Sequence, residues 1–576
     1  MPEEQLLKLR DEMNKKFTAL GDNMVIQAAT NAVKAEYVAL GVNTDKIQNS
    51  YIMNTGIIML LITLLSAAST IMVGFFAAKV AAGLARDLRR YLFTKVESFS
   101  NAEFDKFSTA SLITRTTNDI MQIQMLVVIM MRMVFYAPIM GIGGVFRALA
   151  KSTSMSWIIA LAVIVLLGLI SVLFSIAMPK FMLMQKLIDR LNLVARENLS
   201  GIMVIRAFNN QKFEEDRFDS ANTDITKIGL FVNRAMAVMF PSMMLIMNGV
   251  TLLIVWVGAH QIQNSSMQVG DMMAFMQYAI QIIFAFLMLS MLFIMIPRAS
   301  VSAQRIAEVL ETEPSIVDPE NPKHFDENMA GTIEFRNVSF RYPGADEDAL
   351  KNISFKVLPG QTTAIIGRTG SGKTTLINLI LRFYDATSGE VLIDGVNVKD
   401  VTQHELRSKI GYVPQKSWLF SGTIKSNLKY GNENASDEEV MEAAEIAQAM
   451  EFINEKPKQF DSEIAQGGTN VSGGQKQRLS IARALVKKPE IYIFDESFSA
   501  LDFKTEAALR KAIKTRLSSS TVLMVSQRVS TIAHADQIIV LEDGRIVGIG
   551  KHKELLEKCE TYREIALSQL SKEELA

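Results

Sequence analysis

Four stretches of this chain, residues 52–78, 155–178, 235–259 and 272–296, contain no charged side chain, and each can cross a bilayer. A spanning helix needs about 20 apolar residues, because inside hydrocarbon every backbone polar group must be bonded within the element itself. A fifth stretch, 125–146, carries Arg132. A charge at the centre of a span costs about 2.5–3.5 kcal/mol, so Arg132 is expected near a helix end or facing a polar interior. One such window would also suit a buried core helix. Five of them between residues 52 and 296 point to a polytopic membrane domain.

Basic residues orient it. Arg86, Arg89, Arg90, Lys95 and Lys106 lie in one connecting segment, and Lys186, Arg190, Arg196, Arg206, Lys212, Arg217 and Lys227 in another. Lys and Arg concentrate on the cytoplasmic side, so both segments are expected there. Five spans then place residues 1–50 outside and everything after Ile296 inside. No cationic start followed by a short apolar core precedes the first window, so no signal peptide is expected. Cys559 is the only cysteine, which excludes an intrachain disulfide and a multi-cysteine metal site. Lys+Arg and Asp+Glu balance at 60 each, so charge points to no nucleic-acid partner.

Residues 298–330 read as a connector, with a short amphipathic helix around 301–310 followed by a stretch rich in proline and acids. From Gly331 the pattern becomes strands alternating with helices. TIEFRNVSFRY alternates like a half-buried strand, while EIYIFDES and STVLMVS are apolar runs of the buried parallel kind. Ser436 with Glu439 opens a helix through a capping box, and QIIVLEDGRIVGIG reads as two strands around an Asp-Gly turn. With the phosphate-binding loop pattern GRTGSGKTT at 367–375, the fold class is multidomain, an all-α polytopic transmembrane domain plus an α/β P-loop nucleoside triphosphatase (NTPase) domain: 1–50 extracellular, 51–297 transmembrane, 298–330 connector, 331–576 ATP-binding.

The chemistry is carried by GRTGSGKTT: Gly367, Thr369, Gly370, Ser371, Gly372, Lys373, Thr374 and Thr375, directly after an apolar strand. Its glycines let backbone N–H groups close around phosphates, and the helix that follows presents its positive end. Lys373 can reach the β- and γ-phosphates of ATP, and Thr374 can ligate Mg²⁺. IYIFDE supplies a buried strand ending in two acids. Asp495 suits the Mg²⁺ ion, and Glu496 is placed to orient or deprotonate an attacking water.

Between the two lies NVSGGQKQRLSIARAL, whose Ser472, Gly473, Gly474 and Gln475 resemble the signature of ABC transporter ATPases. The resemblance extends in family order. Tyr342 is similar to the aromatic that stacks on adenine, Gln415 to the glutamine linking the Mg²⁺ site to the membrane domain, and SALD to the loop after the second acid. KVESFSNAEFDKF and ENLSGIMVIRAFNNQKF resemble the cytoplasmic loops whose short helices dock on the ATPases. The family arrangement implies a dimer, each ATP lying between one subunit's phosphate loop and the other's signature.

Two departures stand out. The family places a histidine where SQRVST puts Gln527, which can donate a hydrogen bond but carries no charge. This resembles the weakened-site subunit of heterodimeric exporters, so slowed hydrolysis and a different partner chain are expected, with a homodimer as the alternative. The exporter type also has six spans, and residues 1–50 supply none, which suggests a late start codon or truncated gene and, if the chain is complete, weak transport. Asn54, Ser66, Ser69, Asn248, Gln277 and Gln281 are candidate pathway residues or interhelical bonds. The 33 methionines suit an adaptable cavity for amphipathic drugs, lipids or peptides, or ordinary packing. A nucleotide-gated channel and a subunit that merely completes its partner's ATP site are the competing readings.

Overall fold

A computed structural model of the chain describes residues 7–8, 10–12, 15, 22–264, 267–325 and 331–570. Parts of the expected N-terminal segment and connector lie outside the described residues. The chain forms two compact units, Met1–Thr94 with Ile113–Glu311, and Lys95–Leu112 with Thr312–Ala576.

The first unit is built of helices. Among the described residues, five stretches are long and apolar enough to cross a membrane: Thr44–Glu97, Thr109–Lys151, Thr153–Ser200, Gln211–Gln263 and Val269–Leu289. Each corresponds to one of the five apolar windows. The second is broken between helices Ile120–Met133 and Tyr136–Lys151, and Arg132 sits in the last turn before the break. A helix C-terminus favours a cation there, which meets the expectation of a helix end. The separate short helix expected around 301–310 is not formed. The last helix instead runs without interruption from Val269 to Glu311. Charge returns where the apolar window ends, yet Ala299, Ile306 and Val309 keep a buried face going, so the backbone has no reason to stop.

Close packing within this unit rests on small residues. Helix Tyr136–Lys151 lies against Val269–Glu311. A Cβ added at Gly144 would come within 2.8 Å of Ile282 Cγ1. Such approaches matter in a bilayer, where lipid tails are as apolar as leucine and only fit distinguishes a helix neighbour. Ala148, Ile158, Ile254 and Phe275 form a cluster that joins four of the spans. The apolar window of Thr44–Glu97, by contrast, is 0% buried.

The second unit carries strands β1 (Ile333–Phe340), β2 (Leu350–Val357), β3 (Thr362–Gly367), β4 (Ser388–Ile393), β5 (Val396–Asn397) and β6 (Ile410–Val413). It continues with β7 (Gly422–Thr423), β8 (Glu463–Ile464), β9 (Ile491–Asp495), β10 (Thr521–Val525), β11 (Gln537–Glu542) and β12 (Arg545–Gly550). One sheet is antiparallel, in the order β2-β1-β4-β5; the larger runs β12-β11-β3-β10-β9-β6. From β11 to β6 the larger sheet is parallel, and β12 closes it as an antiparallel edge. Strands β9 and β10 are buried at every position, the pattern of a sheet covered on both faces.

Local signals formed as expected, with one slip. Asp543 and Gly544 take positive φ in the β11–β12 turn, as an Asp-Gly hairpin of the primed type requires. Ser436 and Glu439 exchange backbone bonds at the start of helix Asp437–Ile446. In β1 the alternation is interrupted: Asn337 adopts φ 49° and the pairing with β2 shifts between Phe335 and Val338, so Val338 and Phe340 still face inward. Ser436→Ala is expected to destabilise this unit by about 1 kcal/mol, with Ser436→Asp restoring most of the loss. Thermal unfolding of the full chain without nucleotide checks this, and an unshifted midpoint for the alanine variant would refute it.

Candidate active site

In an open parallel sheet, ligands bind outside the carboxyl ends of the strands. Here β3, β10, β9 and β6 are consecutive neighbours, so four loops leave one edge side by side. β3 runs into the glycine-rich loop, β10 into Ser526 and Gln527, β9 into Glu496, and β6 into Gln415. The topology alone gathers these four from positions far apart in the chain.

The glycine-rich loop turns around Lys373. Gly372 sits at φ 98° as the cap of helix Lys373–Ile380, a left-handed conformation that a side chain would strain. A Cβ at Gly367 would fall 2.3 Å from the Leu541 carbonyl oxygen, so only glycine lets the loop pass β11. Lys373 Nζ donates to the carbonyls of Gly367 and Arg368, both at 2.9 Å, and is buried. Burial pushes its ammonium below the usual range, while Glu496 and Asp495 pull it back. Thr369, Gly370 and Thr374 are exposed along the loop and helix start; Ser371 and Thr375 are buried. Tyr342 shares a hydrogen bond of 2.9 Å with Thr375 Oγ1, and its ring packs on Phe340 and Tyr384.

The acid pair occupies two different environments. Asp495 is 1% exposed, and neither carboxylate oxygen meets a donor with hydrogen-bond geometry. Burial first, then the neighbouring Glu496, pushes it up to about 6, with Thr374 and Lys373 pulling partly back. Glu496 has φ 45°, a strained value for a residue with a side chain, costing about 1–2 kcal/mol. Both its oxygens are taken: Gln415 Nε2 donates to Oε2 at 2.8 Å, and Gln527 Nε2 donates to Oε1 at 2.6 Å. The orphaned Asp495 oxygens and the unpartnered Ser371 hydroxyl beside Lys373 fit a hard cation held together with phosphate.

The signature residues lie apart from this cluster. Ser472 caps helix Gly473–Val486, its Oγ accepting from Gln475 N at 3.3 Å while Gln475 Oε1 accepts from Ser472 N at 3.1 Å. Ser472 and Gly473 are exposed, Gly474 and Gln475 half-buried. Among the described residues no hydrogen bond joins them to the glycine-rich loop. Three contacts here have no local sequence signal. Buried Gln477 accepts from Ala500 N at 3.1 Å, tying the signature helix to the SALD loop. Arg528 reaches the Ser499 carbonyl at 3.2 Å. Tyr384 donates to Asp105 at 2.9 Å, on the short helix Asn101–Lys106, which belongs to this unit. Partners separated by tens or hundreds of residues leave no trace in spacing.

Residues 25–309 match the family model of the ABC transporter transmembrane region, and 350–499 that of the ABC transporter. An uncharacterized ABC transporter ATP-binding protein of Mycobacterium tuberculosis is 41% identical over 93% of this chain and 92% of its own. The chain belongs to the ABC transporters, as a half-transporter of the exporter type. An ATP-dependent lipid A-core flippase of Aromatoleum aromaticum is 36% identical, covering 87% of this chain and 82% of its own. Among solved structures, a bacterial Atm1-family ABC exporter with ATP bound superposes with a TM-score of 0.74 at 28% identity, over 86% of each chain. This ABC half-transporter therefore binds ATP and couples it to export across a membrane, working as a dimer of half-transporters.

The state of Asp495 has a measurable consequence. Its value of about 6 lies above the usual 3.8, so the stability linked to it is present below about pH 4 and lost as pH rises through about 6. Near neutral pH the nucleotide-free fold holds a buried charge without donors. Asp495→Asn is expected to raise the unfolding midpoint at about pH 7.5 and to flatten its change between about pH 4 and 6. Parallel pH profiles for the two proteins would contradict this.

Proposed function

We propose that this half-transporter exports a small amphipathic compound across the cytoplasmic membrane as one subunit of a heterodimer, hydrolysing ATP slowly at its own site. The observation that carries the reading is the clamp on Glu496 by two neutral amides, Gln415 and Gln527. Residues 51–297 serve as the membrane domain and 331–576 as the ATPase.

In this reading Tyr342 stacks on adenine, and the amides of the loop from Gly367 to Thr375 cradle the phosphates with Lys373. Thr374, Asp495 and Gln415 would hold Mg²⁺, which neutralises charge developing on the phosphates when bound. Glu496 would accept a proton from the attacking water through the lone pairs left beside its two amide donors. Gln527 would donate its N–H to the γ-phosphate, as the family's histidine does, but without positive charge. Loss of one preorganised charged contact costs about 10²–10³ in rate, so turnover at this site is slow rather than absent. The exposed, capped helix start at Ser472 and Gly473 supports its use by the partner's ATP, since an N-terminus with free N–H groups attracts anions.

The substrate class rests on softer support. The flippase relatives act, by their names, on lipid A-core. Exposed Met, Leu and Ile cover Thr44–Glu97, an apolar surface that lipid or further helices must cover. An amphipathic, lipid-like compound follows best. Proteoliposomes holding this chain with its partner should move a lipophilic dye in an ATP-dependent way, and Lys373→Ala or Ser472→Ala should abolish it. Gln527→His should raise the chain's own turnover at least about tenfold. Rapid hydrolysis by the unaltered lone chain, insensitive to that change, would overturn the slow-site reading.

A further inference from the structure

The loop that carries Gln527 is fastened from the far end of the chain. Gln569 Nε2 donates to the Gln527 carbonyl at 2.7 Å, and Gln569 Oε1 accepts from Val529 N at 2.9 Å. One side-chain amide thus uses both its donor and its acceptor on a single three-residue loop. Neither loop group has a sheet partner, because β10 ends at Val525, and Val529 opens the short helix Val529–Ile532, whose first N–H groups have no intrahelical acceptor.

The anchor is rigid. Gln569 follows helix Glu560–Leu567, whose Tyr562 and Ala566 are fully buried in one cluster with Ala364 and Ile366 of β3 and with Val529 and Ile532. A local turn, Arg528 N to Ser526 Oγ at 3.0 Å, sets the loop's shape, and Arg528 to the Ser499 carbonyl at 3.2 Å ties it on the other side. Among the described residues, only Gln569 has a side chain bonded to the backbone of both Gln527 and Val529. Arg368 of the glycine-rich loop also pairs with Glu564 at 3.0 Å, but both side chains are largely exposed and the pair contributes little.

We propose that Gln569 is a positioning residue for ATP hydrolysis, holding Gln527 at the distance from Glu496 that the site requires. The idea rests on the ATPase reading above. Released from Gln569, the two backbone groups turn to water and the loop shifts, and a displacement of about 1 Å at a reacting site costs up to about 10² in rate. ATP binding itself is spared, since the phosphate loop does not depend on this contact.

The test uses the full chain in lipid nanodiscs without a second kind of subunit, so that all turnover comes from its own site. Gln569→Met keeps the shape without the amide; Gln569→Glu keeps an acceptor for Val529 but sets a carboxylate against the Gln527 carbonyl. Both should lower kcat about tenfold with KM for ATP within about twofold. Amide hydrogen exchange should quicken across 526–531 in the methionine variant, while Val529 stays protected in the glutamate variant. An unchanged kcat, a loss confined to KM, or unchanged exchange in Gln569→Met overturns the proposal. Absence of any ATPase in the unaltered protein would instead defeat the transporter reading, and exchange would still decide whether Gln569 holds the loop.

Discussion

Parallel pairing of β3, β10, β9 and β6 is the constraint on which the catalytic half of this molecule depends. Each strand ends at the same edge, and each end releases one polar side chain into a common space: Lys373, Gln527, Glu496 and Gln415. Parallel strands need long crossovers, so their loops come from positions about 30 to 155 residues apart and cannot be brought together by any local turn. The apolar runs, buried on both faces, do not by themselves hold the register, because a one-residue slip would expose nothing polar to correct it. That leaves the glycine-rich loop as the pin. At Gly367 the backbone passes the Leu541 carbonyl too closely for any side chain, which fixes β3 against β11 and the loop against both.

Around that frame the site stores cost in two places. Asp495 is buried without donors, and Glu496 holds a left-handed backbone. Neither helps the nucleotide-free fold. A group whose charged form is left without a hydrogen-bond donor in the interior is a liability until a cation arrives, and an ion held as proposed by Thr374, Asp495 and Gln415 would supply the compensation. Strain at an active site is sustained only by surroundings that over-determine it. Here Glu496 N bonds to Val525 O, and Ser497 Oγ to Val413 O, on either side of the strained residue.

Much of this was legible in the sequence, and the boundary of legibility is physical. Features set by neighbours along the chain read correctly: the strand, glycine-rich loop and helix around Lys373, the capping box at Ser436, the Asp-Gly hairpin, the five apolar spans. Features set by partners far away did not. Tyr384 looks like any aromatic after a helix until Asp105, 279 residues earlier, is placed against it. Gln569 looks like a polar residue near a C-terminus. The end of the last spanning helix was misread for a different reason: composition reports where apolar surroundings stop, and a helix that remains amphipathic through Val309 has no cause to stop with them. In β1 the alternation was right and its continuity wrong, because Asn is one of the few residues that tolerate positive φ and so can absorb a bulge.

The substitution at Gln527 bears on the resting state as well as on rate. An amide is a neutral donor, and here Gln527 gives Glu496 Oε1 a partner while Gln415 holds Oε2, one donor on each carboxylate oxygen. An imidazole at that place could carry charge and draw Glu496 into an ion pair, or, when neutral, offer it a single N–H. The amide offers the N–H without the charge. In the proposed reading, it is the missing positive charge near the γ-phosphate, rather than any blocked acceptor on Glu496, that would slow turnover at this site and leave the pace to the partner's site.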